Sequence, residues 1–177
     1  MMRRTRGNRV EMALGMVVLT LAALAVGMAL AGPDGAVGAD ANPQLLYLAE
    51  AIKLASGALM IALALKSRDV PSAWRTLGLA GGALTALAGM IALAAIASEN
   101  AALGGFVTPV ALAGLAATAA WMAGQAAALR RRKLVFLAAA LGMTALIALA
   151  VPPAGFVAGL LALAGWTWLA VSYRRGK

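Results

Sequence analysis

Apolar positions in this chain run in long unbroken blocks, without the alternation of a half-buried strand or the three-to-four spacing of a surface helix. The blocks cover about 12–31, 45–65, 77–97, 110–129, 134–151 and 154–172, each near the roughly 20 residues that carry a helix across a bilayer. The pattern predicts an all-α integral membrane protein: six transmembrane helices arranged as three hairpins, in a single membrane domain over 1–177. Only Pro152 and Pro153 part the last two blocks. One helix through both would run about 60 Å, twice the roughly 30 Å hydrocarbon core. The chain is therefore expected to turn there, Pro152 closing one helix and Pro153 opening the next.

The polar segments between blocks alternate in charge. Arg3, Arg4, Arg6 and Arg9 precede the first block; Lys66, Arg68 and Arg75 follow the second; Arg130 to Lys133 follow the fourth; Arg174, Arg175 and Lys177 end the chain. Every Lys and Arg except Lys53 lies in these four segments, whereas Asp34, Asp40 and Glu99 occupy the first and third loops. By the positive-inside rule both termini are cytoplasmic and the odd loops face outward, as expected in a bacterial inner (plasma) membrane. A cleaved signal peptide is the competing account, since "ALA" at 29–31 has the form of a cleavage site, but the apolar run exceeds the usual 7 to 15 residues.

Composition agrees with lipid as the main solvent: 63% of residues are hydrophobic, 12% charged, and mean hydropathy is +0.90. The net charge of +9 records membrane orientation and names membrane lipids, anionic ones included, as partners. Nucleic acid is excluded, because the basic runs are short and have no folded platform beside them. The three-hairpin plan resembles that of a family of acid-resistance membrane proteins. The resemblance rests on the plan and on no motif, so it implies no site residue.

In lipid, helices adhere through small residues that let backbones approach. Gly78, Gly82 and Gly89 in the third block and Gly155 and Gly159 in the sixth are the packing candidates, within the monomer or against a second copy or another membrane protein. Tyr47, Phe106, Trp74, Tyr173 and Trp168 sit at block ends as interfacial aromatics, whereas Trp121 is deep.

The chain has no Cys and no His. Thiol catalysis, imidazole general bases, Ser-His-Asp triads and zinc or haem sites built on those ligands are therefore excluded. Its glycines fall inside apolar blocks, where packing explains them better than phosphate binding does. The sequence calls for no cofactor, no metal and no catalytic residue. An enzyme acting on lipid or isoprenoid ranks below two other readings. One is a non-enzymatic accessory, regulatory or stress-related membrane component acting through helix contacts. The other is a small oligomeric transporter or channel for a proton, an ion or a small zwitterion.

The second reading rests on Glu50 and Lys53, three residues apart inside an apolar block. A charge at the centre of a spanning helix costs about 2.5–3.5 kcal/mol on insertion scales. Ser56 would extend this locus, with Gln125 and Trp121 contributing from the fourth helix. The opposing account is structural: residues three apart share a helix face, so the pair can neutralise itself, and Lys53 can snorkel outward.

Overall fold

The computed structural model describes residues 2–31, 42–151 and 154–175, with side chains from residue 7 onward. Asp34, Asp40, Pro152, Pro153 and Lys177 lie outside the described residues, as do the side chains of Arg3, Arg4 and Arg6. The described residues form six helices: α1 (Met2–Leu30), α2 (Pro43–Lys66), α3 (Ser72–Ser98), α4 (Ala101–Ala128), α5 (Arg132–Ile147) and α6 (Ala154–Arg175). All but α5 are long and apolar enough to cross a membrane. With 16 residues, α5 spans about 24 Å, short of the roughly 30 Å core.

Helix starts are set by polar caps that the apolar blocks do not reveal. Asn42 Oδ1 accepts the Gln44 N–H at 2.9 Å, and Pro43 takes a first-turn position where its missing N–H costs nothing. Asn100 likewise accepts from the N–H groups of Ala102 and Leu103, so α4 starts well before the expected position near 110. Pro109 lies inside this helix. The expected outer loop of α3 and α4 shrinks to Glu99 and Asn100, with Glu99 in the left-handed conformation at φ 51°. In lipid a helix carried through proline leaves fewer backbone groups unsatisfied than a loop would. At the other extreme, α5 stops at Ile147, and the next three residues form a turn where the sequence pattern continues the helix to 151.

The helices form a closed ring in chain order. Each packs on its neighbours in sequence, α1 closes on α6, and α4 touches α6 across the ring. The closest packing joins α3 to α2 and to α4, and its cause is local. A Cβ built on Gly57 would lie 2.6 Å from the Gly82 carbonyl oxygen, and one on Gly82 would lie 2.7 Å from the Gly57 carbonyl oxygen. On the other side of α3, a Cβ on Gly81 would meet Thr118 Oγ1 at 2.5 Å, and one on Gly114 would meet Thr85 Oγ1 at 2.9 Å. Hydrogen side chains on both faces of α3 let three backbones lie nearly in contact.

The four basic segments gather at one end of the ring. Arg9 pairs with Asp69 of the α2–α3 connection, Arg9 sits over the Tyr173 ring near the end of α6, and Arg130 to Lys133 share a pocket with Arg175. The larger core leans toward this end, with Leu63, Trp121, Met122, Leu134 and Leu169 almost fully enclosed. A smaller cluster of Val26, Leu30 and Ile52 holds α1 to α2 at the opposite end.

Candidate functional site

The seam between α2 and α3 determines the setting of Glu50 and Lys53. Seen from α3, a Cβ on Gly89 would meet the Glu50 carbonyl oxygen, the Leu54 side chain and the Lys53 Cβ at 3.1–3.3 Å. Further along α2, Gly57 and Ile61 continue the same contact with Gly82. Both charged residues therefore stem from the packed face of α2. Lys53 Nζ donates to Glu50 Oε1 at 2.7 Å within one helix. Exposure divides the pair unequally: the Glu50 side chain is 9% exposed and that of Lys53 33%. The carboxylate is the more enclosed partner and the lysine the more accessible one. Glu50 Oε2 has no hydrogen-bond partner among the described residues. Ser56 is half-buried, next to Gly57.

Gln125 and Trp121 lie elsewhere. Trp121 packs its ring on Gly78, and Gly78 is about 16 Å along α3 from the Gly89 that faces Glu50. Gln125 is one further turn toward the basic end of α4. The five residues of the expected locus thus fall into two groups, Glu50, Lys53 and Ser56 at one level and Trp121 and Gln125 at another.

The second level is a buried polar cluster joining four parts of the chain. Gln125 is fully buried, and its Oε1 accepts the Tyr173 hydroxyl at 2.9 Å. Tyr173, expected as an interfacial anchor, is only 4% exposed, because its side of α6 turns inward. Ser67 lies beside the phenol and donates to the Leu63 carbonyl. Arg9 stacks over the phenol at 5.9 Å and bonds Asp69 at 2.6 Å. Trp121 meets Trp166 in a tilted contact, ring centroids 6.0 Å apart. Gln125 Nε2, Trp121 Nε1 and Arg9 Nε are buried donors without partners among the described residues. Sequence order gave no sign that Arg9, Ser67, Gln125 and Tyr173 would meet. The one available signal was that a lone Gln inside an apolar block needs a partner.

Of the packing candidates, Gly78, Gly82 and Gly89 all lie against neighbouring helices. Gly159 faces the Leu24 side chain of α1, and Gly155 has nothing within 4 Å of a built Cβ. Close contacts that escaped the sequence reading include Gly57, Gly81, Gly114, and Gly124, on which the Trp74 ring rests. Thr20, Thr85, Thr144 and Thr167 each donate to the carbonyl one turn back in their own helix, which satisfies the hydroxyl in lipid. No group of three acidic side chains suited to a metal ion occurs among the described residues.

Comparison with known proteins gives no further guide: no family model, curated protein or solved structure matches the chain.

Proposed function

We propose that this chain is a non-enzymatic polytopic protein of the bacterial inner (plasma) membrane that acts through helix contacts as an accessory, regulatory or stress-related component. In this reading the six helices all cross the bilayer as three hairpins, with the basic end and both termini cytoplasmic. The first helix is retained, in keeping with Ala13 and Met16 being core residues.

One observation carries the reading. The intramembrane carboxylate is bonded to a lysine on its own helix, at 2.7 Å, in a close seam where a Cβ on the glycine opposite would lie 3.1–3.3 Å from the residues of the pair and Leu54. An ion pair so placed offsets its own insertion cost within α2. The transporter reading keeps one point in its favour, the buried and unpartnered Glu50 Oε2.

A double-mutant cycle separates the two. Lys53→Met leaves the carboxylate alone in the seam, and the expected loss is about 3 kcal/mol, the scale of breaking a buried pair. Glu50→Gln should cost less, about 1 kcal/mol, because the remaining lysine can snorkel. The double variant should recover most of the loss, and liposomes holding the wild-type chain should pass protons and small ions no faster than empty ones. Single variants that are neutral or more stable would mean the charges are kept for a reason other than stability, and a flux abolished by Glu50→Gln would establish the transporter instead.

A further inference from the structure

The turn from α4 to α5 has the wrong electrostatics for an empty helix start. Arg130 holds a left-handed φ of 54°, Arg131 is the N-cap of α5 without a side-chain capping bond, and Arg132 and Lys133 fill the first turn. A helix N-terminus carries a partial positive charge and favours acidic neighbours; here the first turn has no acid and a run of cations. Arg175 adds another from the end of α6, where its charge suits that helix terminus. These five basic residues and Trp168 line one pocket of about 500 Å³, and no carboxylate among the described residues lines it with them. Arg131 Nε is buried without a hydrogen-bond partner among the described residues.

The pocket does not end at its basic rim. Trp168 also lines a shallow apolar groove, wide open to the surface, of about 610 Å³ along one face of α6, formed with Leu160, Leu163, Ala164, Thr167 and Val171. Leu160, Trp168 and Val171 are exposed along it, and the Thr167 hydroxyl is already bonded back to Leu163. From Val171 to Leu160 the groove extends about 16 Å, matching half of the roughly 30 Å hydrocarbon core, the depth of a single leaflet.

The geometry points to a binding site for one anionic phospholipid of the leaflet at the basic end, its phosphate held by Arg130, Arg131, Arg132, Lys133 and Arg175 and an acyl chain laid along α6 past Trp168. A soluble phosphate would use the cations but leave the groove without a role. A zwitterionic lipid would fill the groove but leave the cluster uncompensated. The site goes beyond the proposed function and does not depend on it, since a transporter would carry the same pocket.

Trp168 is a built-in reporter. The full chain is reconstituted in phosphatidylcholine nanodiscs containing a small mole fraction of phosphatidylglycerol brominated on its chains, and tryptophan quenching is read. Saturable quenching is expected, exceeding that of brominated phosphatidylcholine at the same fraction, and the excess should be lost in Trp168→Phe while the background from the exposed Trp74 remains. Arg132→Gln and Lys133→Gln, both at exposed positions, should each raise the half-saturating fraction about fivefold, the effect of one basic residue at an anionic surface. Arg68→Gln and Arg174→Gln, exposed at the same end but outside the pocket lining, should leave it unchanged. Equal quenching by the two brominated lipids, or equal loss in both pairs of variants, would reduce the site to general surface charge and overturn the proposal. So would displacement by millimolar inorganic phosphate, which would reassign the pocket to a soluble anion.

Discussion

Gly57→Ala tests the packing argument at its tightest point. The added methyl would lie 2.6 Å from the Gly82 carbonyl oxygen, 2.7 Å from the Ala86 nitrogen and 2.8 Å from the Ala86 Cβ. Two of those atoms are backbone, so no side chain can swing aside. Relief to the 3.4 Å of ordinary contact requires α2 and α3 to part locally by about 0.8 Å, a gap that forfeits a quarter to a half of each dispersion well along the seam. Overpacking by a methyl costs about 1–3 kcal/mol, against which alanine's better helix propensity returns up to about 1 kcal/mol. A net loss of about 1–2 kcal/mol is expected. Gly105→Ala in α4 isolates the propensity term, since nothing lies within 4 Å of its built Cβ, and it should be neutral or stabilising by up to about 1 kcal/mol. Both variants would be compared by reversible unfolding in mixed micelles, scoring helicity against the mole fraction of denaturing detergent. If Gly57→Ala is no less stable than Gly105→Ala, the claim that backbone contact holds α2 to α3 is wrong.

Tyr173→Phe removes the hydroxyl that satisfies Gln125 and should cost about 1 kcal/mol, within the range found for hydrogen bonds between membrane helices. Adding Gln125→Leu to the Tyr173→Phe variant should then restore stability in the same assay, because no buried amide is left unpaired; further loss would mean that the amide has another partner. Glu99→Gly should stabilise the α3–α4 turn by about 1 kcal/mol, glycine accepting the φ of 51° without a Cβ penalty. Unchanged stability there would show that the left-handed turn is not occupied.

Where the sequence was legible, a single strong term decided the outcome. Burial in lipid demands long apolar helices, and α2, α3 and α6 fall close to their expected bounds. It was less legible where two terms competed. At α4, the stretch between the apolar blocks, 98–109, read as loop, but the Asn100 cap and the need to bond every backbone group in the membrane prevailed. Rotation about each helix axis was the least legible. A helix apolar on all sides says little about which face packs, so Tyr173 read as an interfacial ring although it is enclosed, and Gly155, a packing candidate, meets no neighbour within the monomer. For the same reason Gln125 was grouped with Glu50, although the tyrosine that bonds it lies 48 positions along the chain.

The ring closes by joining its first helix to its last, with α1 packed on α6 and Arg9 seated over Tyr173. During synthesis, helices α2 to α5 can each dock on a predecessor already inserted, whereas α1 must hold half of its packing surface open until the ribosome has made almost the whole chain. That open flank of α1 is where an insertion chaperone would have to shield the nascent protein, and a chain truncated before α6 would be left as an unclosed arc in which Arg9 keeps Asp69 but loses the Tyr173 ring.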